Sequence, residues 1–264
     1  MAREKERIFG WHAVLSALER SGHRVRHIWM AEGRADGRAS SVMRAAAAAH
    51  IPVQRIGHAG LDVLAGGGHH QGVAAECDLP DPASEQDLDA LLSRLTQPLL
   101  LVLDGVQDPH NLGACLRSAD AAGAHAVILP RDNAVSVTPV VRKVASGAAE
   151  TVPVIRVTNL ARTLDSLKAA GLWIAGASGE AQDEIFTADL GGPLALVLGA
   201  EGRGLRRLTR ERCDFLVRIP MSGSVASLNV SAAAAVCLYE AVRQRRAAGA
   251  AVPQPELAKP QGTL

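Results

Sequence analysis

Residues 98–104 read PLLLVLD. Five consecutive aliphatic residues closed by a carboxylate leave no polar face, so the run is predicted to be a strand buried on both sides. Such strands belong to parallel sheets covered by helices. The pattern continues downstream. A helix is expected across Asn111–Ala122, a strand at Ala126–Leu129, and a helix over Asn159–Ala170 opened by Thr158 or Asn159. Apolar strands follow at Leu172–Ala175, Leu194–Leu198 and Asp214–Ile219, then a long helix over Ser227–Arg246. This alternation predicts an α/β domain over residues 98–246, built on a parallel sheet. Ligands of such sheets lie at the carboxyl ends of strands, so the loops after Asp104, Leu198 and Ile219 are the candidate site.

Upstream, residues 1–77 alternate on a smaller scale. Helices are expected at His12–Arg20 and Ala39–His50, with strands at Val25–Met30, Pro52–Ile56 and Gln71–Cys77. They make a small N-terminal α/β domain. Residues 78–97, DLPDPASEQDLDALLSRLTQ, hold five acidic residues against one basic and read as an acidic linker with one short helix. Residues 247–264, AAGAAVPQPELAKPQGTL, have no apolar period and are expected to form a disordered tail.

Composition narrows the function classes. A chain of 264 residues allows two domains or one large one. Its 28 Lys+Arg nearly balance 27 Asp+Glu, which excludes a simple polycationic coat but leaves room for a local basic face. Aromatic residues are only 3%, so base stacking is not the main recognition device. Arginine supplies 24 of the basic residues; its planar fork suits phosphate, although a general compositional bias would also produce it. The four cysteines form no C-x-x-C pair, which argues against zinc and against a disulfide framework. His69–His70 sits in a Gly-rich turn with no third ligand nearby, so no metal site is expected. MAREKERIFG has no apolar segment of the signal-peptide kind, and no apolar run approaches membrane length. A soluble, cytoplasmic protein is the expectation.

Each candidate loop has a functional and a plain structural reading. The first, DGVQDPHNLGACLRSADAAG (104–123), sets Asn111 and Arg117 nearly two helical turns apart, with Gly113 and Ala114 admitting a close neighbour. Asn111 could also cap the helix, with Arg117 a solvated charge. The second, LGAEGRGLRRLTRERC (198–213), places Glu201 among Gly199, Gly202 and Gly204 directly after a strand. Glycines there permit positive φ and let backbone N–H groups point at a ligand. It matches neither G-x-G-x-x-G nor a P-loop. Arg203, Arg206, Arg207, Arg210 and Arg212 follow, either as phosphate contacts or as a solvated face. In the third, IPMSGSVASLNVSAAAAVCLYEAVRQRR (219–246), Ser227 is the natural N-cap, with Asn229 and Ser231 in the first turns. Those residues either cap the helix or hold an electron-rich ligand.

Taken together, N-x-G-x-x-x-R (Asn111 to Arg117), L-G-x-E-G-x-G (Leu198 to Gly204) and I-P-M-x-G-x-x-x-S-L-N-V-S (Ile219 to Ser231) resemble the three motifs of the SPOUT superfamily. Within it they look like the TrmH-type RNA 2′-O-ribose methyltransferases. FGWHAVLSAL and HHQGVAAE also resemble that family's small substrate-binding domain, so the likeness covers residues 7–246. The resemblance implies a C-terminal trefoil knot, a homodimer, and S-adenosyl-L-methionine as methyl donor. It implies methylation of a ribose in RNA, most closely a guanosine of 23S rRNA. A tRNA ribose, or a catalytically idle RNA-binding protein of the same fold, is the alternative. By motif match, Gly199, Ile219 and Leu228 would hold the adenosyl group, with Gly202 and Ala177–Ser178 close by. Arg117 would take the central catalytic role; since a guanidinium does not readily lose its proton, this is better read as fixing phosphate and ribose and stabilising the developing alkoxide. Asn111 would hold the ribose or orient Arg117, Glu201 would pair with arginine and shape its loop, and Ser227, Asn229 and Ser231 would fix the third loop. A sulfonium methyl is already electrophilic, so the reaction calls for no metal.

Overall fold

The computed structural model describes residues 5–66, 69–78 and 83–249. From residue 250 onward, the tail expected from the sequence lies outside the described residues. The chain divides into two units, Met1–Asp81 and Pro82–Leu264.

The first unit runs β1 (Lys5–Phe9), α1 (Trp11–Ser21), β2 (Val25–Ala31), α2 (Gly37–Ala48), β3 (Val53–Ile56), α3 (His58–Ala65) and β4 (Val73–Asp78). Its four strands lie in the order β1-β4-β2-β3, with β4 antiparallel to both neighbours and β2 parallel to β3. Side chains alternate across a strand. Ile28 and Met30 therefore join Val14, Leu18 and Val42 of α1 and α2 in one core, while Ala31 and Ala74 meet Leu61 of α3 on the other face. Asp36 caps α2 by accepting from the Ala39 N–H. Two elements, β1 and α3, were not expected from the sequence. KERIF carries three charges in five residues and reads as polar, yet all five residues pair with β4, from Asp78 to Ala74.

The second unit begins with α4 (Glu85–Leu92) and continues β5 (Leu99–Asp104), α5 (Pro109–Ala121), β6 (Ala126–Pro130), α6 (Pro139–Ala145), α7 (Ala148–Thr151), β7 (Val154–Val157), α8 (Leu160–Ala169) and β8 (Trp173–Ala177). Then follow β9 (Asp183–Glu184), β10 (Leu194–Gly199), α9 (Arg207–Glu211), β11 (Phe215–Arg218) and α10 (Val230–Ala247). All seven strands are parallel, in the order β7-β6-β5-β10-β8-β11-β9. β5 is central and every one of its residues is buried. Leu99, Leu101 and Leu103 point into a core with α5, α6 and α10, while Leu100 and Val102 point into a second core with α4 and α8. Each buried leucine contributes about 1.5–3 kcal/mol through removal from water.

The helix expected inside the acidic segment is thus not a spacer. α4 belongs to the second unit: Leu88 is buried in the core beside Ile155, and Glu85 accepts from the Thr158 N–H at 2.8 Å. At the opposite end of the chain, the buried Arg245 of α10 donates to the carbonyls of Gln97, Pro98 and Gly192 at 3.0, 2.9 and 2.6 Å. Those carbonyls precede β5 and β10, so one side chain ties the last helix to the starts of two central strands.

Candidate functional site

Three loops meet at the carboxyl ends of the central strands, and capping chemistry decides how each enters its helix. Asp108, not Asn111, caps α5: its Oδ1 accepts from the His110 N–H at 2.9 Å, and Pro109 fills the first helical position. That frees the Asn111 side chain, which is buried and turned off its own helix. In the third loop, Ser227 is not the cap either. The chain stays irregular through Leu228, and Asn229 caps α10 by accepting from the N–H and Oγ of Ser231 at 2.8 and 2.6 Å. The helix starts at Val230, later than the sequence pattern suggests.

The freed side chains converge. Asn111 Nδ2 donates to Glu201 Oε1 at 3.1 Å, Asn229 Nδ2 donates to the same oxygen at 2.7 Å, and Asn229 Nδ2 also donates to Asn111 Oδ1 at 2.9 Å. A carboxylate only accepts, so both amides must turn nitrogen towards it; the Asn229 oxygen is then directed at Ser231. The triangle joins residues up to 118 positions apart. Glu201 therefore pairs with two amides and not with arginine, which corrects the expectation from the sequence. Its charge also reaches α5: burial first, and Glu201 second, push the Cys115 thiol up to about 12.

The arginines after Glu201 are mostly engaged elsewhere. Arg206 Nε donates to Asp104 Oδ1 at 2.6 Å and its N–H donates to Oδ2 at 2.9 Å. Arg207 pairs with Glu211, Arg210 with Glu180 and Arg212 with Asp165. These ion pairs engage four of the five arginines, yet each of the four keeps part of its side chain exposed. In the sequence Asp104 marks only the end of β5; its pairing with Arg206, 102 positions on, comes from the fold.

Beside the triangle lies a cavity of about 810 Å³, at the ends of β8, β10 and β11. Gly199, Gly202, Ile219, Ser227 and Leu228 all line it, and so do Ala177 and Ser178. Glu201 borders it too, joining cavity and triangle. Gly199 has no alternative: a Cβ there would fall 2.0 Å from the Gly204 carbonyl carbon. Gly202 and Gly204 hold φ at +75° and +63°. Leu198, Leu205, Ile219 and Leu228 offer apolar walls, while Glu180, Glu184, Arg210 and Arg218 mark a charged end. The volume lies within the roughly 300–1,000 Å³ usual for small-molecule pockets. An apolar nucleoside slot ending in paired charges fits S-adenosylmethionine, a purine nucleoside with a zwitterionic tail.

Arg117 stands apart. It is exposed on α5 and is not among the residues lining the cavity. Six residues along a helix leave it about 120° around the axis from Asn111. His70 is also committed locally, with Nε2 on Asp62 at 3.0 Å and Nδ1 accepting from the Gly72 N–H. Among the described residues no three His, Cys, Asp or Glu side chains are grouped to hold a metal, and no helix is long and apolar enough to cross a membrane.

Comparison with known proteins agrees with this geometry. Residues 98–239 match the family described as SpoU rRNA Methylase, and residues 7–83 match the domain described as RNA 2′-O ribose methyltransferase substrate binding. The chain is 55% identical over 242 residues to the 23S rRNA (guanosine-2′-O-)-methyltransferase RlmB of Pseudomonas putida, covering 91% of this chain and 97% of that one. It is 54% identical to the protein of the same name from Shewanella oneidensis, over 92% of this chain and 99% of the relative. The crystal structure of the SpoU methyltransferase AviRb from Streptomyces viridochromogenes, in complex with AdoMet, superimposes with a TM-score of 0.76 at 28% identity, covering 92% of this chain and 91% of the other.

Proposed function

The chain belongs to the SpoU rRNA methylase family, and from that premise we propose that it transfers a methyl group from S-adenosylmethionine to the 2′-hydroxyl of a guanosine ribose in 23S rRNA. The observation that carries the proposal is the triangle of Asn111, Glu201 and Asn229 at the edge of the 810 Å³ cavity. When bound, the cofactor supplies an electrophilic methyl on sulfur.

The chain's own residues then have one task, which is to present a sugar oxygen in line with that methyl. Backbone at Gly199, Ile219 and Leu228, with Gly202 beside them, grips the adenosyl part. Ser227 stands in the cavity wall, and Ser231 locks Asn229 through its N–H and hydroxyl. Asn229 and Glu201 in turn hold Asn111, so the polar edge that meets the ribose is rigid before substrate arrives. Pre-set orientation of this kind can lower a barrier by several kcal/mol. The 2′-hydroxyl gives its proton to water as its oxygen takes the methyl, and Arg117 contacts phosphate and ribose and stabilises the developing alkoxide with a fixed positive charge.

Because Arg117 lies outside its own cavity, we infer a homodimer in which one copy lends it to the other. Exposed Val140 on α6, Tyr239 on α10 and Val225 in the third loop support an apolar contact between copies. The knotted path that the resemblance implies belongs to the same proposal. RNA recognition is assigned to the N-terminal domain, where residues 7–83 match the substrate-binding model. An rRNA substrate supports a cytoplasmic location.

The test starts from rRNA of a strain lacking the gene. One 2′-O-methylguanosine should be absent from its 23S rRNA, and purified protein with labelled S-adenosylmethionine should restore it. Labelling of tRNA alone would overturn the target, and no labelling of any RNA would overturn the activity.

A further inference from the structure

The cofactor cavity has a neighbour that methyl transfer leaves unused. At the carboxyl ends of β6 and β7 a second cavity, of about 490 Å³, opens between 130–133, 158–161 and 206–209. Its lining is mixed. Leu208, an apolar side chain 51% exposed on α9, and Ala161 give it apolar surface. Asn133, Thr158, Arg206 and Arg207 supply amide, hydroxyl and guanidinium groups, and Asp132 a carboxylate.

Arg206 is placed with care. Asp104, whose side chain is wholly buried, takes both its Nε and its backbone N–H, while 49% of the Arg206 side chain stays exposed. A buried carboxylate held by two donors of one residue fixes that residue's stem and leaves the far end of the fork to an anion. Arg207 is 78% exposed, and its one partner, Glu211, is an i,i+4 surface pair of small worth. The two cavities are built from one continuous segment: Gly199–Leu205 lines the cofactor's, and Arg206–Thr209, entering α9, lines the other.

An apolar plate, a polar edge and a cationic rim match the parts of a nucleotide: heterocycle face, heterocycle edge and phosphate. We propose that this cavity takes the nucleotide adjoining the methylated one in the RNA chain, with its phosphate on Arg206 and Arg207 and its base against Leu208. The inference rests on the reading that the protein methylates RNA. It adds a subsite that would select for sequence or shape next to the target.

The experiment pairs kinetics with crosslinking on the full-length protein. An rRNA fragment carrying 4-thiouridine beside the target guanosine is irradiated with the enzyme, and the attached peptide is identified. Crosslinks are expected within 158–161 or 206–209. Arg207→Glu, and separately the milder Leu208→Ser, should raise KM for the fragment tenfold or more, with the Kd for S-adenosylmethionine within twofold of wild type. If wild-type enzyme methylates the fragment but both variants keep its KM, the subsite is refuted and the activity stands. If wild-type enzyme does not methylate RNA at all, both readings fall.

Discussion

At the scale of single residues, Glu201 decides the shape of the site. One of its oxygens accepts two amide N–H groups, from Asn111 and Asn229. Hydrogen bonds to a charged acceptor are worth about 1.5–3 kcal/mol each, more than neutral ones. Glu201→Ala removes that acceptor and leaves both amides to reorient, so the ribose edge loses its fixed geometry. Methyl transfer should fall by roughly 10- to 100-fold, on the scale of about 1.4 kcal/mol per tenfold. Glu201→Gln can keep one oxygen in place and should retain more activity than the alanine variant. Single-turnover rates at saturating cofactor measure both; equal rates for Glu201→Ala and wild type would remove the triangle from the mechanism. The sequence made Glu201 conspicuous through its glycines but could not name its partners. Its local neighbours are arginines, and Arg206, Arg207, Arg210 and Arg212 pair with other carboxylates, such as Asp104 for Arg206 and Glu180 for Arg210. The amides come from 90 positions before and 28 after, contacts that only the fold creates.

At the scale of elements, the apolar strands and long helices were legible and several short elements were not. PLLLVLD could be nothing but a central strand, and the Asp108–Pro109 pair marked the start of α5. α6, α7, β7 and β9 escaped because each has seven residues or fewer and no full hydrophobic period, even though Thr138–Pro139 is a legible cap for α6. The start of α10 was misplaced by the wish to cap at Ser227, when the better acceptor stood two residues on. One junction between elements makes a pH-dependent prediction. His125 sits before β6, and its Nδ1 accepts the N–H of Leu99 at 3.1 Å, where β5 begins. Burial, with the nearby Arg245 charge as a further cause, holds its pKa below the usual 6.5. The folded protein therefore binds fewer protons here than the unfolded chain, and stability rises with pH across this window. The contribution is whole above about pH 6.5 and is lost as the pH falls below it. Urea denaturation at pH 7.5 and pH 5.5 should show a larger loss for wild type than for His125→Gln. An identical loss in the two proteins would mean that His125 does not couple folding to pH.

At the scale of the whole molecule, a site split between copies has a consequence that no single-chain arrangement shares. Arg117 is exposed on α5 and absent from the lining of the cavity, whereas Glu201 borders it. If each cavity draws its arginine from the second copy, Arg117→Ala and Glu201→Ala damage different halves of the same composite site. Glu201→Ala alone should keep about a tenth to a hundredth of the rate, Arg117→Ala no more, and Arg117→Ala should still bind S-adenosylmethionine with wild-type affinity, because the adenosyl walls are untouched. In a mixture refolded or co-expressed at equal amounts, half the dimers are mixed. A two-fold interface gives each mixed dimer one cavity with both damages and one with neither. The mixture should therefore recover roughly a quarter of wild-type activity, by that symmetry. Were the arginine supplied from within the same chain, every cavity in the mixture would still carry one lesion, and the rate would stay at the average of the two variants. That average, measured on a mixture shown by mass to contain mixed dimers, would remove the shared site and leave Arg117 to act within its own subunit.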